Sequence, residues 1–265
     1  MDNRCLRNQK PWTLIPEGGS RGRGKVKMTF RHIPATGEPG FRMGFLGNGY
    51  EQPPHRVVLT DDYWLLETPV TQRQYACWKP DHRNHFPNRH ENPAESLSWK
   101  DAMAFCDWLT TCYQGRFPRG FVRAGLPTEA QWEWACRAGT QTDYWSGTGT
   151  GALDAVGWYE ERLPAEEVDT RPVRSKGLEA ANGFGLWDLH GNVFEWCLDS
   201  WDSEAYSHRI DGVLDPLVDE AVGNRVARGG SWAASAAGCR ASYRYHWTAT
   251  DGSREIGFRV CLRRN

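Results

Sequence analysis

Gly185-Leu-Trp-Asp-Leu-His-Gly-Asn-Val-Phe-Glu-Trp196, followed by Arg228-Gly-Gly-Ser-Trp232, Cys239-Arg240 and Ile256-Gly-Phe-Arg259, is the part of the chain that decides the fold. Glycine, arginine and tryptophan at this density make neither an amphipathic helix nor a plain alternating strand. Glycine pairs permit close backbone approaches that a Cβ forbids, and clustered aromatics bury large, rigid area. Between these anchors Ala233-Ala-Ser-Ala-Ala-Gly238 carries no bulky side chain. The pattern predicts a rigid frame holding an irregular loop surface, and such surfaces commonly carry binding function.

Upstream, three helix starts stand out. Thr71-x-x-Gln74, Ser98-x-x-Asp101 and Thr128-x-x-Gln131 each precede an apolar run. Each is a capping-box pattern, in which two side chains satisfy free N–H groups of the first turn. Phe41-Arg-Met-Gly44, His55-Arg-Val-Val-Leu-Thr60 and Asp61-Asp-Tyr-Trp-Leu-Leu66 read as short strands. Residues 1–40 read as an N-terminal arm and 41–265 as one domain. After Gly139 no further helix is expected, only loops and short strands such as Arg225-Val-Ala-Arg228 and Gly257-Phe-Arg-Val-Cys-Leu262. Early helices followed by a loop-rich β region give an α+β class.

The chain has 265 residues, a net charge of −1 and fourteen tryptophans, with 39% hydrophobic residues. Its charge balance gives no global attraction to nucleic acid. The local cluster Arg21-Gly-Arg-Gly-Lys-Val-Lys27 reads as a solvated arm. No apolar run reaches the roughly 20 residues of a membrane span, and the N-terminus lacks the apolar core of a signal peptide. The expectation is a cytoplasmic protein, or one exported without an N-terminal signal. Eight cysteines form no C-x-x-C pair, so zinc spacing is absent. Cys77, Cys106 and Cys136 read as reduced, buried thiols. His82, His85 and His90 fall in the polar Asp81–Pro93 loop without helical pairing, which favours a solvated loop over a metal site.

From Phe41 to Val260 the chain resembles the formylglycine-generating enzyme (sulfatase-modifying factor) family, an elaborated C-type-lectin-like fold. The residues carrying this resemblance include Glu67-Thr-Pro-Val-Thr71, Leu126-Pro-Thr-Glu-Ala-Gln-Trp-Glu-Trp-Ala135 and Asn182-Gly-Phe-Gly-Leu186. Gly191-Asn-Val-Phe-Glu-Trp196, Arg228-Gly-Gly-Ser-Trp232 and Ile256-Gly-Phe-Arg-Val260 complete it. The oxygen-dependent enzymes of that family use two cysteines just after Gly-Gly-Ser, and two thiolates suit Cu(I). Here the second matches Cys239 but the first falls at Ala234, so no copper is expected. The ergothioneine-pathway relatives carry an additional helical domain for which this chain has no room.

In layout the C-terminus resembles the variable proteins of diversity-generating retroelements, whose C-terminal lectin-like segment is rewritten by adenine-directed mutagenesis while its frame stays fixed. The resemblance implies a non-catalytic protein that holds an unknown protein or surface ligand. Its contact surface would be Ala233, Ala234, Ser235, Gly238, Tyr245, His246, Trp247, Asp251, Ser253, Arg254 and Glu255. Trp232, Arg240, Arg244 and Arg259 would support it. Tiny, aromatic and charged residues mixed in this way resemble a paratope. The alternative is an oxidoreductase of formylglycine-generating type acting on a protein cysteine, or a degenerate relative, with Cys239 and Ser231 as its candidate catalytic residues. The family also implies a structural calcium at Asp188, Gly191, Val193 and Glu195, a set of hard oxygen donors. Pairing of Asp188 and Glu195 with nearby arginines is the competing reading.

Overall fold

The structure, a computed structural model, describes residues 10–16, 26–47, 49–162, 168–220 and 223–264. In chain order the strands are β1 (Trp12–Leu14), β2 (Met28–Ile33), β3 (Phe41–Met43), β4 (His55–Val58), β5 (Tyr63–Leu66), β6 (Arg123–Gly125) and β7 (Phe194–Ser200). They continue as β8 (Val213–Leu214), β9 (Asn224–Arg228), β10 (Arg244–Thr248), β11 (Ile256–Phe258) and β12 (Cys261–Arg263). The helices are α1 (Gln72–Tyr75), α2 (Trp99–Tyr113), α3 (Glu129–Arg137), α4 (Thr150–Asp154) and α5 (Ala205–His208). This mixture of short helices and strands is the α+β class that the sequence predicts.

All three capping boxes form, on Thr71, Ser98 and Thr128, each with its reciprocal side-chain bond. α2 presents Ala102, Phe105, Cys106 and Leu109 inward, the apolar face that its spacing predicts. Cys106 and Cys136 are buried and free, whereas Cys77 is only half-buried. α4 and α5 are single-turn helices in a region for which the sequence predicts only loops and short strands.

The sheets are β1-β2-β5-β12-β6, β10-β9-β7-β11 and β3-β4-β8. Residues 12–14 and 28–33 belong to the first of them, which corrects the expectation of an extended arm through residue 40. Met28, Phe30 and Ile33 are fully buried, the first two in the core cluster with Phe105 and Leu109 of α2 and Ile33 in the one with Tyr63 and Leu65 of β5, so the apolar alternation of this segment determines its conformation. The Arg21–Lys27 cluster lies mostly outside the described residues.

The second sheet positions the C-terminal surface. Its central strand β7 holds the Phe-Glu-Trp end of the glycine-rich motif and pairs antiparallel with β9 and parallel with β11. β10 closes the edge, with Arg244 opposite Arg228 and Thr248 opposite Asn224. Two glycines fix how the loops meet this sheet. Gly191 has a φ of +91° and sits on the Trp158 carbonyl. Gly230 has a φ of +80° and lies against the Cys239 thiol. A side chain at either position meets both a strained backbone and a filled space. Among the described residues no helix is long and apolar enough to cross a membrane.

Candidate functional site

Beneath the C-terminal surface lies a layer of buried ion pairs. α3 carries Glu129 and Glu133 one turn apart, both without exposure. The Arg228 guanidinium donates to Glu133 and, at 3.4 Å, to Glu129. It also caps the carbonyls of Ala241, Ser242 and Tyr243. Arg244 forms a fork on Glu129 at 2.7 and 3.1 Å, a geometry that fixes orientation as well as charge. Burial alone would push the Glu129 carboxyl up, but Arg244 and Arg228 hold it down at about 2. Arg259 reaches Glu195 at 2.7 Å and Arg240 reaches Glu51 at 2.8 Å. Glu129 and Glu133 carry no site motif of their own in the sequence; the only hint is two carboxylates four apart on a helix otherwise rich in Ala and Trp.

Above this layer the three expected contact segments converge. Ala233 and Ala234 are half-buried and Ser235 is exposed. Ser231 donates through Oγ to Glu255 at 3.1 Å, and the Trp232 indole donates to the Arg254 carbonyl. The Arg254 guanidinium lies over the Trp232 ring, which is 2% exposed. Asp251 is exposed, and Ser253 accepts the Ser96 N–H through its carbonyl at 2.9 Å. Tyr245 stacks on Phe194 at 4.4 Å, His246 stacks on Trp201 at 4.4 Å, and Trp247 is open to solvent.

Two expectations change. Tyr245, His246 and Trp247 sit on the edge strand β10, not on an irregular loop, because aromatic residues favour a half-buried pleated surface. Gly238 is buried, since the tight turn Ala236–Cys239 presses it against Ala234. The sequence reading also missed Asn224, Trp201 and Phe86. Asn224 bonds the His246 ring at 2.9 Å, and Phe86 meets Trp232 edge-to-face at 5.6 Å. Phe86 belongs to the histidine-bearing loop, where His82 bonds the Glu95 carbonyl. Among the described residues no group of three or more His, Cys, Asp or Glu is placed to hold a metal.

The candidate catalytic residues do not assemble. Cys239 is fully buried with Tyr144, Leu153 and Tyr159, and burial pushes its thiol well up, away from the thiolate that reactivity needs. Ala234 packs against that same cluster. Ser231 donates to a carboxylate, and the His246 ring is bonded to Asn224.

Asp188 and Glu195, the two carboxylates of the implied calcium set, are both engaged by protein donors. Both Glu195 oxygens accept from Arg259, and one also accepts the Trp132 indole N–H at 2.8 Å. A guanidinium therefore already balances the Glu195 carboxylate. Asp188 accepts the Arg174 N–H at 2.8 Å, and burial raises its carboxyl to about 6.

His190, in the same motif, is wholly buried. Its Nδ1–H donates to the Cys239 carbonyl at 2.8 Å, and its Nε2 accepts the Trp145 N–H at 3.1 Å. Burial lowers its pKa to about 4. The unfolded chain therefore takes up this proton first, at a pH near 6.5. The stability that neutral His190 provides is complete above that pH and is lost as pH falls toward 4. Asp188 and Asp199, raised to about 6 by burial, act in the opposite sense over much of that range. A titration followed by imidazole NMR isolates the histidine. We expect His190 to remain neutral at pH 5, and a half-protonated ring at pH 6 or above would refute its buried, double-bonded placement.

The description "Sulfatase-modifying factor enzyme 1-like domain" matches residues 24–264. The formylglycine-generating enzyme of Streptomyces coelicolor is 32% identical over 189 residues, covering 67% of this chain and 54% of that enzyme. The chain thus spans about half the length of that curated relative. Among solved structures, Treponema denticola variable protein 1 superposes with a TM-score of 0.79 at 26% identity, covering 97% of this chain and all of that one. PvdO from Pseudomonas aeruginosa gives a TM-score of 0.75 at 21% identity over 96% of this chain and 99% of its own, a likeness of fold alone.

Proposed function

Because the chain belongs to the sulfatase-modifying factor enzyme 1-like family, we propose that it is a binding member of that family. In this reading it displays a variable C-terminal surface of diversity-generating retroelement type and performs no catalysis. The observation that carries the reading is the separation of frame from surface within one segment. Of the supporting residues Trp232, Arg244 and Arg259, with Arg228, are buried to 3% exposure or less and Arg240 is half-buried, while Ser235, Trp247, Asp251 and Arg254 stand open to solvent. The likeness to Treponema denticola variable protein 1 supports it. Formylglycine generation is the second reading, and Ala234 stands against it, since a methyl group neither ligates copper nor exchanges with a substrate thiol.

Substitution tolerance tests the proposal. Single changes at Ser235, Trp247, Asp251 and Arg254 are expected to shift urea-unfolding stability by no more than about 0.5 kcal/mol each. Tyr245→Ala is expected to lose about 1 kcal/mol through its ring stack. Trp232→Ala is expected to lose about 3–5 kcal/mol. A combined exposed-site variant that fails to fold, or that loses as much as Trp232→Ala, sinks the reading. So does aldehyde formation on a cysteine peptide by the Cu(I)-loaded chain. In the neighbouring DNA, the reading expects a reverse transcriptase and a near-copy of the 3′ coding segment differing at adenines.

A further inference from the structure

We propose that Asn224, Tyr245, Trp247 and Thr248 form a subsite for a neutral saccharide; the proposal rests on the binding-surface reading and names the ligand class for one part of it. The Tyr245 and Trp247 rings leave the same side of β10, lie within 20° of parallel and have centroids 6.4 Å apart. Beside them a cavity of about 320 Å³ is lined by Asn224, His246, Thr248 and the two rings, at the lower end of the range for small-ligand sites. A hollow of about 270 Å³ continues from Asn224 and Thr248 toward Thr250 and Lys100, giving room for a second ring of an oligosaccharide.

The chemistry of the lining selects the class. A pyranose has a flat face of C–H groups and a rim of hydroxyls that both donate and accept. The indole and phenol faces suit the first, and an amide with a hydroxyl suits the second. Asn224 uses one amide N–H on His246 and accepts Thr248 Oγ1 at 3.4 Å. Among the described residues its amide therefore keeps one donor and one lone pair in hand. Among the described residues no Asp, Glu, Lys or Arg lines the cavity beside the rings, in a chain where a quarter of the residues are charged. Burial and the neighbouring Arg244 lower the pKa of His246 and keep that ring neutral. A charged ligand finds no counter-charge among the described residues beside the rings, Lys100 and Arg225 lining only the adjoining hollow, whereas an uncharged polyol finds its partners. Phe194 covers one face of Tyr245 and Trp201 lies under His246, which holds these two rings in place, while Trp247 stands open beside them.

Maltotriose, cellotriose, chitotriose and mannotriose are titrated separously into the full chain in the presence of chelator, with tryptophan fluorescence and saturation-transfer NMR as readouts. At least one is expected to bind with a Kd on the order of 1 mM or tighter, with saturation reaching its ring protons. Trp247→Ala and Asn224→Ala are each expected to weaken it at least ~tenfold, with unfolding transitions like the parent's, and Trp247→Phe is expected to retain part of the affinity. Absence of binding by all four sugars, or binding that survives Trp247→Ala, overturns the proposal. Trp247-dependent binding of decaproline without any sugar binding overturns the saccharide class but leaves the binding surface standing. The binding-surface reading itself is decided separately by the tolerance experiment.

Discussion

Glu129→Ala is expected to destabilise the chain by about 3–5 kcal/mol, the usual consequence of removing one partner from a buried ion pair. Glu129 is fully buried and ionised at neutral pH, with its carboxyl held at about 2 by Arg244 and Arg228. Its removal leaves Arg244 with carbonyl partners but no carboxylate, while Arg228 keeps Glu133. An uncompensated guanidinium in the interior is the origin of the loss, and packing of the glutamate stem is secondary. Glu129→Gln keeps the shape and part of the hydrogen bonding, and should lie between wild type and alanine. Equilibrium urea unfolding measures all three. A loss below about 1 kcal/mol for the alanine variant would mean that water reaches this layer.

Glu195→Ala is the second large effect, again about 3–5 kcal/mol, and it is expected to be the same with calcium or with chelator. Arg259 donates to Glu195 through Nε and Nη2, while Nη1 donates to the Leu66 carbonyl and Nη2 also to the Trp187 carbonyl. The glutamate therefore balances a charge locked in place by the backbone. Because apolar replacement of a whole buried pair is often neutral, Glu195→Leu with Arg259→Met should be less damaged than the sum of the single changes. The measurement is a double-mutant cycle by urea unfolding, repeated with calcium. If calcium raised the melting temperature of wild type and not of Glu195→Ala, Glu195 would be a metal ligand after all.

Much of the fold was legible because its signals are local. The hydroxyl-to-Gln or Asp spacing at Thr71, Ser98 and Thr128 specifies its own hydrogen bonds. The glycine-rich motifs announce close backbone approach without naming the partner. The ion-pair layer was not legible for the opposite reason. Glu129 and Arg244 lie 115 residues apart, and on a helix read alone Glu129 and Glu133 resemble a solvated face. β7 was missed because a central strand buried on both sides loses its alternation; Phe194 through Ser200 are buried but for Leu198. In the site, Ser235, Trp247, Asp251 and Arg254 were legible as surface. Tyr245 was only half so, because the ring that covers it, Phe194, comes from another strand.

The ion-pair layer divides its charges in a way that bears on the genetic code. Arg228, Arg240, Arg244 and Arg259 all lie in the C-terminal segment, while their carboxylates, Glu51, Glu129, Glu133 and Glu195, all lie upstream of it. Every glutamate codon has adenine in its second position, where a change alters the residue. The CGN codons of arginine carry adenine only in the silent third position, glycine codons likewise, and the tryptophan codon has none. A segment rewritten at adenines would therefore spare Arg228, Gly230 and Trp232 while changing whatever is spelled with adenine around them. The acidic half of each pair, the half that such rewriting would destroy, is kept out of its reach. The gene should accordingly spell those four arginines as CGN, and AGA or AGG codons there would break the correspondence between buried frame and protected codon.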